Sequence, residues 1–418
     1  MTYIQPETSL NQSLSSVRAI LHLGTKAAQR HDWLTLCNNL KQLPQKQNGK
    51  EARKFDLNKD DWNTALNLAI SMLIKADFAH KWSITKILPW FGEKIIPTLI
   101  ALIKDDTVEA DVRWFVCQTL GNFSQPEVVL TLVELLDSTA DRELIEIAGK
   151  TLTTIGDDAV DALQKLLTQP QHRVLAVQSL YYIRTAKTIE PLLGIAKDSN
   201  SELKEIAIEA LGSFHDCRIP PILIEALRDK ASNVRQKAAI ALGFRADIAD
   251  ELYLVKHLRP LLSDFDLGVC RQAAISLSRM KNETATAAIF EVLQSDITPV
   301  RLKLDLVKAL NWSEVDSSID YLTKALNYSI PAVTVEIITV LGRTNKAELK
   351  SQAARILVDF WHSKSPQLEL SQIKQSLATS LGELRCEYGR EVLEQLKQDS
   401  DRKVKIYAVS ALKKISSN

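Results

Sequence analysis

His215-Asp216-Cys217 is the one place in the chain where a general base, a carboxylate and a thiol adjoin. A nucleophilic triad needs side chains that converge in space, and three consecutive residues on a loop do not face one point. The stretch follows Gly212 and Phe214, so it reads as a polar turn ahead of the next helix. The other thiols, Cys37, Cys117, Cys270 and Cys386, lie far apart with no CxxC pair. A closed zinc site takes four ligands, and cysteines scattered over different elements do not supply them. An odd count of five in a chain of 418 residues fits reduced thiols better than a disulfide framework. No GxGxxG, P-loop, HExxH or GxSxG string occurs, so no phosphate cradle, zinc helix or nucleophile elbow is nominated. The expectation is a non-enzymatic chain with no metal, no resident cofactor and no nameable catalytic residue.

Charged residues are more regular. Lys81, Arg113, Arg173, Lys204, Arg235, Lys303, Lys374 and Lys405 each stand seven positions before a recurring leucine. Asp198, Asp229 and Asp399 stand six before three of these bases. A phosphate-binding row needs an uncompensated stripe of positive charge. Here the carboxylates cancel it, and 52 Lys+Arg against 51 Asp+Glu leave a net charge of +1. Nucleic acid is therefore not an expected partner.

The elements that carry these residues follow from the leucine itself. Leu88, Leu120, Leu152, Leu180, Leu211, Leu242, Leu277, Leu310, Leu341, Leu381 and Leu412 recur at gaps mostly near 31 residues. A period of this size marks a stack of supersecondary units. The longest gap, between Leu341 and Leu381, contains the extended run AELKSQAARILVDFWHSKSPQLE. Each unit has two apolar runs of helical period, typified by IPPILIEALRD and then VRQKAAIALG. The residue before the leucine is small in almost every unit: Thr119, Thr151, Ser179, Ala210, Ala241, Ser276, Ala309, Ser380 and Ala411, with Val340 the largest. Small side chains there predict close approach of neighbouring helices. Gly121, Gly212, Gly243, Gly342 and Gly382 follow the leucine, where positive φ would end a helix. Sustained alternation of period two is absent, so the fold class is all-α in antiparallel helix pairs.

The phrase Asp229…Val234-Arg235…Ala238…Leu242-Gly243 resembles the HEAT repeat, over roughly residues 62 to 415. The resemblance implies a right-handed α-solenoid, or superhelix, of about ten to eleven such pairs. It also implies acid and base residues bonded across neighbouring layers near the turn inside each pair. Cys270 departs from the pattern by standing where Arg235 stands one unit earlier, and Ile145 and Thr334 fill the same slot elsewhere. The Ala-Leu-Gly endings look like the short HEAT-like repeats of the phycobilin-lyase group. That implies a second expectation: a cyanobacterial protein that attaches, removes or chaperones an open-chain bilin on a phycobiliprotein of the phycobilisome.

Three segments are expected. Residues 1–43 read as a helical hairpin broken near Gly24, residues 44–61 as a polar flexible linker, and residues 62–418 as the repeat array. The start lacks a basic segment followed by an apolar one, and no apolar run reaches spanning length, so membrane insertion is not expected and the reading is cytoplasmic. Trp62, Trp82, Trp90 and Trp114 concentrate in the first units. They suit either a bulky cap for the stack or an aromatic anchor for a partner. A row of aromatics just after the leucine, Trp90, Phe123, Tyr182, Phe214, Phe244 and Trp312, reads as packing between layers.

The partner-binding expectation rests on the outer face of each second helix, six and two positions before the leucine. That face should be polar if it is only solvated. Instead Val174, Ile240, Ile275, Leu304 and Val335 recur there, together with Trp114 and the bases Arg271 and Lys308. Recurring aliphatics on an exposed face commonly mark interaction sites, and the alternative is that tight superhelical curvature buries them between layers. If second helices line the concave surface, as the HEAT resemblance implies, this stripe holds a protein segment, and Arg271 and Lys308 orient its acidic groups.

Overall fold

The structure, a computed structural model, describes residues 7–46, 53–344 and 347–416. The chain forms two compact units, Met1–Ile195 and Ala196–Asn418. The first contains α1 (Glu7–Gln29), α2 (Trp33–Lys41), a two-residue ladder of β1 (Gln45–Lys46) and β2 (Lys54–Phe55), then α3 (Lys59–Lys75), α4 (Phe78–Thr85), α5 (Ile96–Lys104), α6 (Ala110–Leu120), α7 (Pro126–Ser138), α8 (Arg142–Ile155), α9 (Val160–Leu166), α10 (Arg173–Ile183) and α11 (Ile189–Ile195). The second contains α12 (Ser201–Leu211), α13 (Ile219–Ala226), α14 (Ser232–Gly243), α15 (Leu254–Leu258), α16 (Leu267–Arg279), α17 (Glu283–Gln294), α18 (Val300–Ser313), α19 (Asp316–Leu326), α20 (Pro331–Gly342), α21 (Ala347–His362), α22 (Ser371–Leu384), α23 (Arg390–Leu396) and α24 (Arg402–Ser416). The all-α class expected from the period is observed. The long gap before Leu381 is filled by α21 and a short 3-10 turn at Pro366–Glu369.

Second helices stack directly on one another: α4, α6, α8 and α10 in the first unit, and α12, α14, α16, α18, α20, α22 and α24 in the second. Every one of the recurring leucines is buried, from Leu88 to Leu412, and so is every residue just before them from Thr119 to Ala411. The glycines after the leucine do not end helices by positive φ. Gly121 and Gly212 have φ of −61° and −58°, and the positive-φ glycines among the described residues are Gly92 and Gly156. Their role is proximity. A Cβ on Gly212 would lie 2.7 Å from the Ala241 Cβ, one on Gly243 2.8 Å from the Ser276 Cβ, and one on Gly382 2.7 Å from the Ala411 Cβ. Each partner is the small residue before the leucine of the next repeat. The small residue and the glycine are therefore two halves of one interlayer contact, which only a missing side chain permits. Hydroxyls at the small position add a bond to the preceding layer: Ser276 Oγ donates to the Ala239 carbonyl at 2.7 Å, and Thr151 Oγ1 to the Cys117 carbonyl at 3.3 Å.

The N-terminal hairpin turns later than Gly24. Helix α1 runs through that residue, where the absent side chain admits Leu68 and Leu36, and the chain reverses at His31, whose φ is 56°. Asp32 then caps α2 by accepting the Thr35 amide at 3.0 Å. Of the polar segment 44–61, residues 47–52 lie outside the described residues. Its flanks are tied down: Gln45 pairs with Phe55, whose ring packs edge-on against Trp90 and Phe91, and α3 begins at Lys59.

Candidate partner-binding face

The charged ladder sits at the turn inside each helix pair. Arg235 Nε and Nη2 donate to the two carboxylate oxygens of Asp264 at 2.8 and 2.7 Å, a bidentate pair, while Nη1 donates to the Asp229 carbonyl at 2.8 Å. Lys204 donates to Asp229, and Lys374 to Asp399 at 2.7 Å. In the first unit Lys81, itself buried, reaches Asp111 at 2.5 Å. Three rungs are thus staggered: Lys204, Arg235 and Lys374 each serve the acid six residues ahead of the next repeat's slot, whereas Arg113 pairs with Asp106 of its own repeat at 2.9 Å. Cys270 fits the same slot by another bond, its thiol donating to the Asp264 carbonyl at 3.1 Å as Arg235 does to Asp229. For Asp229 and Asp264, burial pushes the carboxyl pKa up, but the bonds from Lys204 and Arg235 and the amides of Ala231 and Asp266 hold it below the ordinary value.

His215, Asp216 and Cys217 form an exposed-edge turn, and Asp216 is occupied by its neighbour. Arg218 donates to it from the backbone amide, Nε and Nη2 at 2.8 to 2.9 Å, holding its carboxyl at about 2. Among the described residues no group of three or more His, Cys, Asp or Glu is placed to hold a metal ion, and no helix is long and apolar enough to cross a membrane.

The stripe residues divide between the units. Trp114 lies on α6 and Val174 on α10, both half-buried. Ile240 on α14, Arg271 and Ile275 on α16, Leu304 and Lys308 on α18, and Val335 on α20 occupy four consecutive stacked helices of the second unit. Ile240, Ile275, Leu304 and Val335 are each half-buried. Arg271 leans on Asp305 at 3.7 Å and Lys308 on Glu336 at 3.9 Å, each across to the next helix. Pairs this long on an open face contribute little, so both bases can turn to another carboxylate. One helix earlier, Lys237 holds Glu209 at 2.7 Å. The six residues in the second unit therefore sit at two fixed repeat positions on four successive stacked helices.

The HEAT-repeat family model matches residues 66–153, 96–181, 129–212, 160–243 and 219–304. The chain belongs to the HEAT-repeat family. No curated protein matches it in sequence. Among solved structures, a Kap121p mutant is 14% identical with a TM-score of 0.55, the match covering 99% of this chain and 52% of that one. Importin beta is 11% identical with a TM-score of 0.50, covering 95% and 65%. Human deoxyhypusine hydroxylase is 20% identical over 65% of this chain and 99% of that one, with a TM-score of 0.28. At such identities the likeness to Kap121p and importin beta is one of fold.

Three features of this HEAT-repeat chain escape a reading of the sequence. The aromatic row is not uniformly packed: Phe123 is buried, but Tyr182, Phe244 and Trp312 are exposed, and the Arg279 guanidinium lies 4.2 Å over the Phe244 ring. Tyr182 borders a hollow of about 580 Å³ between α8 and α10, floored by Leu175 where Gly149 leaves room. On the turn edge of the second unit, Phe265, Ile297, Ile330 and Leu370 stand exposed just before α16, α18, α20 and α22. Their signal was available, because large apolar residues interrupt turns that are otherwise polar.

Proposed function

We propose that the chain is a non-enzymatic scaffold that holds a protein segment along the stacked second helices of its second unit. The observation that carries the reading is the recurrence of Ile240, Ile275, Leu304 and Val335, each half-buried, on four consecutive helices. Such a surface complements an amphipathic helix or an extended segment whose apolar residues fit between the helices. The loose pairs Arg271–Asp305 and Lys308–Glu336 supply a charged border that can exchange partners. Trp114 and Val174 supply a comparable but sparser surface in the first unit.

The test is capture by the full chain, beside a variant carrying Ile240→Ser, Ile275→Ser and Leu304→Ser. Replacing three aliphatic edges removes roughly 2–3 kcal/mol of apolar contact, which weakens binding roughly 30- to 150-fold. Far-UV circular dichroism checks that helicity is kept, and Leu130→Ser on α7, an exposed site on a first helix, serves as control. A variant that retains the same partner at the same affinity rejects this face. The eluate's visible spectrum reads the other class: a coloured phycobiliprotein or free bilin would assign the chain to chromophore handling, the role the phycobilin-lyase resemblance implies.

A further inference from the structure

The stripe changes character at its far end. Four residues beyond Val335 on α20 lies Thr339, whose hydroxyl donates to the Val335 carbonyl at 2.7 Å. From there a hollow of about 670 Å³ opens between α20, α22 and α24. Its wall is rich in hydrogen-bond donors: Arg343, Lys350, Gln372, Ser376 and Tyr407 all line it. None of these five side chains has a hydrogen-bond or ionic partner among the described residues. The guanidinium offers five N–H groups, the ammonium three, and the amide and two hydroxyls complete the set. The carboxylate in the wall, Glu383, is already engaged, because Lys414 donates to it at 2.6 Å. Gly342 lets α20 and α22 close up against Ser380, which fixes the floor.

We infer that this hollow binds a phosphoryl group together with the residue or small scaffold that bears it. Two cations with no partner among the described residues and three neutral donors around one concavity match an anion with several acceptor oxygens. A guanidinium bonds such an anion in two places at once, and charge-assisted bonds of this kind are about twice as strong as neutral ones. The volume lies within the range of roughly 300–1,000 Å³ that encloses small ligands, more than a lone phosphate fills. The bearer is either a phosphorylated side chain of a segment lying on the helices or a free phosphorylated small molecule. The inference does not depend on the apolar stripe, and the experiment separates the two.

Isothermal titration of the full chain uses inorganic phosphate, a leucine-rich peptide bearing one phosphoserine with its serine twin, and ribose 5-phosphate. The expected result is uptake of inorganic phosphate that falls as salt rises. Arg343→Gln with Lys350→Gln is expected to weaken it by about tenfold or more. Preference for the phosphopeptide over its twin assigns the protein source, and preference for ribose 5-phosphate assigns the small-molecule source. The triple serine variant on the stripe is expected to bind inorganic phosphate unchanged. Absence of uptake of all three phosphorylated probes at about 10 mM, or equal uptake by the double glutamine variant, would overturn the inference.

Discussion

Asp264 is bonded from three directions. Arg235 grips both carboxylate oxygens, the Asp266 amide donates to one of them at 2.9 Å, and the Cys270 thiol takes its backbone carbonyl. Removing the carboxylate leaves Arg235 partly buried without a counter-charge. We therefore expect Asp264→Ala to destabilise the chain by about 2–4 kcal/mol, measured as a lower urea midpoint. Cys270→Ser keeps a donor in place and is expected to change the midpoint by less than about 1 kcal/mol. The position of Arg235 in the slot was legible from the sequence, and so was the presence of acids nearby. Which acid serves which base was not: Asp229 precedes Arg235 by six residues yet bonds Lys204, because the partner lies one layer away in space and 25 to 29 residues away in the chain. The reading of His215, Asp216 and Cys217 as a polar turn needed only local chemistry, and Arg218 two residues on from Asp216 supplies it.

At the scale of the helix, the contact between a glycine and the next repeat's small residue sets how near two layers come. Gly342→Ala would place a methyl within 2.7 Å of the Ser380 Cα, so the helices must move apart. A cost of about 1–3 kcal/mol is expected, as for other overpacked cores. Gly194→Ala on α11 is the contrasting case, since nothing lies within 4 Å of its added Cβ. There the gain in helix propensity should raise stability by about 0.5–1 kcal/mol. Thermal melts of the two variants check both signs. The small residue and the glycine were each visible in the sequence, but as separate signals with separate explanations. Only packing joins them, and positive φ at helix ends falls instead to Arg184, Glu314 and Arg385. The exposed aromatics Phe244 and Trp312 were misread for a related reason: a fixed position in the repeat fixes the direction of a side chain, while its cover depends on what the next layer brings.

Across the second unit the rungs act together. Asp229, Asp264 and Asp399 all sit below the ordinary carboxyl value of 3.8. A carboxylate with a lowered folded value binds protons more weakly when folded than when unfolded, so acid favours the unfolded chain. Stability from these rungs should be complete above pH about 4 and lost as the pH falls below it through the lowered values. Melting temperature followed from neutral pH to about pH 3 is expected to stay level and then drop, and Asp399→Asn should flatten the drop. The class of fold was legible at this scale because a period is a property of the chain itself. The donor-lined hollow between α20, α22 and α24 was not, since its wall draws on residues from Thr339 to Tyr407 that share no motif and meet only after stacking.

The staggered rung has a consequence for how such a gene can change length. The repeat from Asp229 to Ser263 carries an acid that answers the copy behind it and a base that answers the copy ahead. Excising one whole period, Asp229 through Ser263, would bring Asp264 opposite Lys204 and Ser276 opposite Gly212, so that this rung and this layer contact re-form, while the exposed carboxylates Glu209 and Glu291 lose Lys237 and Arg259. A copy inserted in phase would be accepted on the same terms. Unequal recombination between repeats can thus add or remove layers in a single event, and selection on copy number is freed from selection on the residues that hold each layer to the next.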